Sequence, residues 1–264
     1  MRIVMGSLLA LLVILCVPTA GLCGGLTFYT ANVPPYTYTD ESGRFTGLSV
    51  DLDRAILDMA GMPVNDADIR HINWARAYQT VLTTPNTALF SLARTPVREG
   101  LFKWVGPLAV IPIGLIARKS SKLTVDRNTD LSRYRIAVVR GSAPSDEVQR
   151  LYGLSSSQLA KVSNAASQIR MLEAGRVDMI AQSEILAFTV IQELGFDLEE
   201  YEMVHVLVRD DLYMALNRDV DDKVVDKLQS CLDTLRKTEA NGKSRYCEIV
   251  GKYSLDGRLD LSAR

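Results

Sequence analysis

Apolar residues recur along the chain at two different spacings, which predicts an alternation of strands and helices. Leu26 to Thr30 is a short β-prone run, and a helical period begins at Ser49. Gly61 and Pro63 end this helix, as a C-terminal glycine and a following proline commonly do. The apolar face of the helix is predicted to hold Leu52, Ile56, Met59 and Ala60.

The same alternation continues to the C-terminus. Asn73 is predicted to cap a helix that carries Trp74, and the remaining elements follow at short intervals. The predicted strands are 87–92, 135–139, 177–181, 202–208 and 212–216; the predicted helices are 145–152, 166–174, 185–194 and a helical tail over 219–253. Strands alternating with helices predict an α/β fold.

The N-terminus has the pattern of an export signal. Arg2 precedes an apolar run from Leu8 to Val17, and small or helix-breaking residues follow up to Gly24. We therefore predict a signal peptide over residues 1–23 and a periplasmic mature protein; a buried N-terminal helix or a membrane anchor is the alternative. The cleavage site and lipidation of Cys23 stay open.

Composition excludes several function classes. The chain has 264 residues and a formal net charge of −1, with scattered Lys and Arg, so we expect no nucleic-acid partner. The sequence contains no nucleotide-binding glycine motif, no serine-hydrolase elbow and no histidine pair at metal spacing. We therefore predict no cofactor, no metal and no catalytic residue.

Two cysteines remain after the predicted signal, Cys231 and Cys247. In an oxidising compartment they are expected to pair and to join two consecutive C-terminal helices. Two unrelated thiols are the alternative.

One turn and two arginines suggest that the protein binds an anion. A turn at Gly141 to Ala143, with the hydroxyl of Ser142, joins a strand to a helix whose N-terminus favours negative charge. Arg94 and Arg98 follow a strand, where a guanidinium can hold a carboxylate through two hydrogen bonds. Each feature also has an ordinary structural explanation, as a connecting turn or as surface arginines.

A set of motifs in this order resembles the family-3 extracellular solute-binding proteins, the polar amino-acid receptors of ABC importers. The resemblance extends over the whole mature chain. It rests on Val33–Tyr38, Ser42–Leu52, Asn73–Tyr78, Ser91–Glu99, Phe102–Pro107, Leu131–Ala143, Leu172–Asp178 and the C-terminal helices.

The resemblance implies a two-lobed clamp of the periplasmic-binding-protein type II fold, each lobe a mixed sheet flanked by helices. Residues 26–111 and 210–264 would form one lobe and residues 112–209 the other. Two β-rich crossings, 110–117 and 204–216, would act as hinges around a ligand held between the lobes.

The resemblance also assigns roles to single residues. Arg98 would hold the ligand carboxylate, together with the helix-start amides of Ser142 and Ala143. Tyr36 and Trp74 would form aromatic walls, and Ser91 and Ala93 would contact the region around the amino group.

The sequence departs from the family pattern at two positions. Ser183 stands where an aspartate usually receives the ligand ammonium, so either Glu184 replaces it or the ligand is not an α-amino acid. Arg94 stands where the receptors often have an uncharged residue, so an acidic ligand becomes an option if Arg94 faces the cleft.

We therefore predict a monomeric periplasmic protein that delivers an amino acid or another small carboxylate to an ABC permease. A protein that reports its ligand to a membrane receptor is one alternative. A dehydratase-like enzyme on the same scaffold is another, with Glu184 as its only candidate acid or base.

Overall fold

The computed structural model describes residues 25–240 and 242–253. The predicted signal peptide, its cleavage region and Cys23 lie outside the described residues, as do the last eleven positions, 254–264. In the described part of the chain, no helix is long and apolar enough to cross a membrane.

The main sheet has eight strands and a mixed topology. From one edge to the other, the strand order is β4-β1-β5-β10-β6-β9-β7-β8. Three strands at each end of the sheet run parallel to one another: β4, β1 and β5 at one end, and β9, β7 and β8 at the other. β10 and β6 lie between these two sets and join them through antiparallel pairs. The strands are β1 (Thr27–Thr30), β4 (Ile69–His71), β5 (Thr87–Ala93), β6 (Lys103–Arg118), β7 (Ile136–Val139), β8 (Leu159–Val162), β9 (Met179–Ser183) and β10 (Tyr201–Leu216); β2 (Tyr38–Thr39) and β3 (Phe45–Thr46) form a separate hairpin.

Two long strands connect the two ends of the sheet. β6 and β10 have 16 residues each and pair along most of their length, from Tyr201 opposite Arg118 to Leu216 opposite Lys103. The prediction of two strands over 202–208 and 212–216 is therefore wrong, because residues 209–211 continue the ladder opposite Pro112, Ile111 and Val110. The polar run in β10 concealed this continuity.

The helices pack on both faces of the sheet, and the α/β prediction is confirmed. They are α1 (Leu48–Met59), α2 (Trp74–Thr83), α3 (Ala143–Tyr152), α4 (Ala165–Glu173), α5 (Glu184–Glu193), α6 (Asp222–Leu235) and α7 (Arg245–Gly251). Asn73 caps α2 as predicted, because its side chain accepts a hydrogen bond from the Ala75 N–H at 3.1 Å. Met59 was predicted to face the core, but it is 46% exposed at the end of α1.

Buried apolar side chains form separate clusters at the two ends of the sheet. One set holds residues up to Ile113 and from Leu212 onwards, and the other set lies between Leu115 and Tyr201. Ala143 and Ile185 are exceptions, since they pack into the cluster of the opposite end. The two ends therefore contact each other, although the exact lobe boundaries stay a prediction.

The predicted disulfide is absent from the structure. Cys231 lies on α6 and Cys247 on α7, as expected for consecutive helices, but both are free thiols. Cys231 packs against the core, whereas Cys247 is exposed. Sequence spacing placed the two cysteines on neighbouring helices but could not define which way each one faces.

Candidate functional site

A cavity of about 400 Å³ lies where the two ends of the sheet meet. Its volume falls within the range of small-molecule sites. Residues from both ends line it, and most of them are apolar. The lining consists of Ala31, Asn32, Val33, His71, Ile72, Asn73, Trp74, Ser91, Ala93, Arg98, Ile111, Ile113, Val139, Ser142, Ala143, Pro144, Ser163, Asn164, Ala165, Gln182, Leu186 and Leu212.

Arg98 brings a positive charge to the wall of this cavity. Its side chain is only 1% exposed and lies over the ring of Tyr78, with Cζ 5.2 Å from the ring centroid. Nη2 donates to a carboxylate oxygen of Asp146 at 2.7 Å and to the Gly141 carbonyl at 3.1 Å. Nη1 donates to the Ala93 carbonyl at 3.3 Å. Burial of a guanidinium is tolerated here because these acceptors satisfy part of it.

The guanidinium has hydrogen-bonding capacity left. A guanidinium carries five N–H groups, and three are used by these partners. Nε is buried and has no hydrogen-bond partner among the described residues. The Ser91 hydroxyl, also in the cavity wall, is in the same situation. Unpaired buried polar groups are costly, so both are candidates for contact with a bound molecule.

Ser91 has an unusual backbone conformation at the cavity. Its φ is 61°, in the left-handed region that residues other than glycine rarely occupy. Non-glycine residues in this conformation cluster at functional sites.

The turn before α3 forms another part of the wall. The Ser142 side chain caps the helix by accepting from the Ser145 N–H at 3.4 Å, and the Ser142 N–H donates to Val139 at 3.2 Å. Pro144 has no N–H, so Ala143 supplies the amide available at the start of α3. A helix N-terminus carries partial positive charge and favours an anion.

Hydrogen bonds connect the walls across the cavity. The Gly141 carbonyl accepts from Trp74 Nε1 at 3.0 Å as well as from Arg98. Asn73 Nδ2 donates to the Ser163 carbonyl at 2.8 Å. Together with the pairing of Arg98 and Asp146, these contacts hold the two ends of the sheet together around the cavity.

Six of the ten predicted ligand-binding residues line the cavity. They are Trp74, Ser91, Ala93, Arg98, Ser142 and Ala143. The other four, Tyr36, Arg94, Ser183 and Glu184, lie outside its lining. The binding role of each of the ten stays a prediction, but the first six occupy positions from which they can reach a common ligand.

Arg94 belongs to a surface cluster. Its guanidinium lies 5.6 Å from the ring centroid of Trp104 and 5.2 Å from that of Tyr213. Nε donates to Glu99 at 2.7 Å, and Nη2 contacts the same carboxylate. Arg94 therefore does not line the cavity, so the described part of the chain gives no second arginine there to bind an acidic ligand.

Tyr36, Ser183 and Glu184 lie behind or beside the cavity wall. Tyr36 is fully buried, and burial raises the pKa of its phenol, an effect partly offset by the nearby Ser183 hydroxyl. No hydrogen bond of ordinary geometry joins the two, because both oxygens are unpaired among the described residues. Glu184 is the half-buried first residue of α5.

Asp146 is the important residue that sequence reasoning missed. It lies in the first turn of α3 and contributes the carboxylate that pairs with Arg98. Burial raises its pKa, and the Arg98 charge opposes that rise. The signal that could have revealed Asp146 is its position four residues after Ser142, because an acidic residue in the first turn of a helix interacts favourably with the helix N-terminus.

The described residues show no metal-binding group of three or more His, Cys, Asp or Glu. The cavity offers hydrogen-bond donors, one buried cation and an apolar surface. This combination suits the binding of a small molecule that has an anionic end and an apolar body.

The family assignment follows from a match to a family model. Residues 26–243 match the model of the bacterial extracellular solute-binding proteins, family 3. The chain belongs to this family. The resemblance inferred from the sequence motifs is thereby confirmed. A search of curated proteins finds no matching sequence.

Solved structures confirm the type II periplasmic-binding-protein fold of this solute-binding protein. A histidine kinase sensor domain with similarity to periplasmic binding proteins superposes with a TM-score of 0.73 at 22% identity, covering 86% of this chain and 95% of that one. The substrate-binding protein of an amino acid ABC transporter gives 0.69 at 15% identity, covering 87% and 99%. The arginine-, lysine-, histidine-binding protein ArtJ from Geobacillus stearothermophilus gives 0.69 at 16% identity, covering 87% and 95%.

Proposed function

We propose that this solute-binding protein captures a small carboxylate-bearing molecule outside the cytoplasm and delivers it to an ABC permease. The observation that carries the proposal is the buried guanidinium of Arg98 in the cavity wall, with Nε unpaired. A planar guanidinium with free N–H groups is well matched to a carboxylate. The Ala143 amide and the Ser91 hydroxyl lie in the same wall.

The cross-cavity contacts support capture by closure. Trp74 and Arg98 both donate to Gly141, which belongs to the other end of the sheet. Ligand binding between two walls that contact each other requires them to separate and close again, which is the hinge motion of two-domain binding proteins. The long strands β6 and β10 are the connections available for such a hinge.

A thermal-shift screen against amino acids, organic acids and sugars tests the proposal. A ligand that binds only the folded protein raises its melting temperature by mass action. We expect carboxylates to raise it and Arg98→Ala to abolish the rise, while Arg94→Ala, a matched change outside the cavity, preserves it. If Arg98→Ala does not fold, Arg98→Lys keeps the charge and should weaken the response. An unchanged response in the Arg98 variants contradicts the proposal.

Ligand sensing is the second candidate function. The similarity to a histidine kinase sensor domain favours it, because the same fold there belongs to a signalling protein. Both functions begin with ligand capture in the cavity, so the thermal-shift screen tests ligand binding for either function. Co-purification from membranes with a permease supports import, whereas co-purification with a kinase supports sensing.

The enzyme alternative depends on a carboxylate in the cleft that acts as acid or base. Among the described residues that line the cavity, none is Asp or Glu, and Glu184 lies outside this lining. The described cavity lining therefore does not supply the carboxylate that this alternative requires.

A further inference from the structure

The fixed charge of the cavity wall is positive. Arg98 lies in the wall, and its partner Asp146 is outside the lining, 27% exposed on the first turn of α3. Gln182 is the residue of β9 that reaches the cavity, ahead of Ser183. Its side chain is a neutral amide and is already held in place, since Nε2 donates to Gln168 at 3.0 Å and Oε1 accepts the Ser183 N–H at 2.9 Å.

The rest of the wall is largely hydrocarbon. Seven branched aliphatic side chains of the described residues line the cavity from both ends of the sheet: Val33, Ile72, Ile111, Ile113, Val139, Leu186 and Leu212. Ile113 is fully buried, and Leu212 is only 2% exposed. Such a surface gains free energy by covering an apolar ligand body, and it offers a cation no compensation for lost hydration.

An α-amino acid would place its ammonium two bonds from the carboxylate held by Arg98. That ammonium would then lie near a guanidinium and beside aliphatic walls, and the residue that β9 contributes to the described lining is Gln182, a neutral amide. Both effects oppose binding of the charged form. A monocarboxylate with the same carbon skeleton avoids both costs.

We propose that the ligand is an apolar monocarboxylate without an ammonium group, such as a branched aliphatic or aromatic carboxylic acid. This inference rests on the proposed function, because it assumes that the cavity binds a carboxylate. It narrows the ligand class by assigning the aliphatic wall to the body of the ligand and Arg98 to its anionic end.

Calorimetry with matched ligand pairs tests this inference. 4-Methylpentanoate and L-leucine share a carbon skeleton and differ by the ammonium group, as do 3-phenylpropanoate and L-phenylalanine. We expect the acid of at least one pair to bind more than tenfold tighter than its amino acid. Amino acids that bind within tenfold of the acids, or tighter, overturn the inference while leaving carboxylate capture intact.

The outcomes separate this inference from the proposed function. If no carboxylate of either kind binds at millimolar concentration, or if only neutral solutes bind, both are overturned. If amino acids bind and the binding depends on Arg98, only the ligand class is wrong.

A substitution that adds an acid gives an independent test. Asn164 lines the cavity and caps α4 by accepting from the Ser167 N–H at 2.8 Å, a cap that aspartate also forms. Asn164→Asp should shift the affinity ratio of L-leucine to 4-methylpentanoate by at least threefold towards leucine. Asn65→Asp, at a cap outside the lining, should leave the ratio unchanged. An unchanged ratio in Asn164→Asp contradicts the inference.

Discussion

The charged form of the Asp210 carboxylate is less stable in the folded protein than in water. It lies in the long strand β10, opposite Ile111 of the cavity wall, and is 9% exposed with Oδ2 unpaired among the described residues. Burial raises its pKa from 3.8 to about 6, and the nearby Glu147 and Asp211 add to the rise. The charges of Arg98 and Arg150 oppose it without cancelling it.

The shift sets the magnitude and direction of a stability change. Because the folded-state pKa is the higher one, the folded protein binds more protons between about pH 4 and pH 6 than the unfolded chain does. Asp210 therefore lowers the free energy of unfolding as pH rises through this window. A shift of roughly two pKa units corresponds to at most about 3 kcal/mol at pH 7.

Asp210→Asn removes this penalty and should stabilise the protein at pH 7 by about 2 to 3 kcal/mol. Below about pH 4 the wild-type carboxyl is protonated, so the difference between the two proteins should disappear. Urea denaturation of both proteins from pH 4 to pH 7.5 measures this, and pH effects of other groups cancel in the difference. Asp226→Asn, on the exposed face of α6, is the control and should change stability by less than about 0.5 kcal/mol. A difference for Asp210→Asn that is zero at pH 7, or constant across the range, refutes the reasoning.

Two other predictions concern the partner of Arg98 and the glycine that precedes α1. Asp146→Asn removes the carboxylate that competes for Arg98 and should tighten carboxylate binding by roughly three- to tenfold in calorimetry; weaker binding would show that Asp146 mainly positions the guanidinium. Gly47→Ala should lower the free energy of unfolding by more than about 2 kcal/mol in urea denaturation, because φ is 127° and a Cβ would lie 2.3 Å from the Tyr36 carbonyl oxygen. Gly43→Ala is its control, with positive φ but open space, and should cost about 1 kcal/mol; equal losses would show that the contact is not the cause.

Local sequence patterns predicted most of the elements, because most helices have one buried face and the strands β5, β7 and β9 are buried along their whole length. Apolar spacing predicts α1, and the Asn73 cap predicts the start of α2, as the structure has them. The long strand β10 was divided in two because Arg209, Asp210 and Asp211 are polar, although they are paired with β6. Strand pairing is a tertiary property that local polarity does not encode.

A position after a strand identified candidate anion-binding residues but does not define the direction of each side chain. Arg98 and Ser142 were found in this way and line the cavity. Arg94 was not distinguishable from Arg98, because only the tertiary structure shows that its guanidinium packs against the rings of Trp104 and Tyr213. Asp146 was overlooked for the same reason, since its partner is 48 residues away in the chain.

The claim that Arg98 holds a ligand carboxylate is tested most directly by comparing an acid with its neutral amide. Calorimetric titration of the best-binding acid from the screen, and of the carboxamide with the same skeleton, provides the measurement. We predict that the acid binds at least about 30-fold tighter, which corresponds to about 2 kcal/mol for a charge-assisted hydrogen bond. Equal affinity of the acid and the amide would contradict the account.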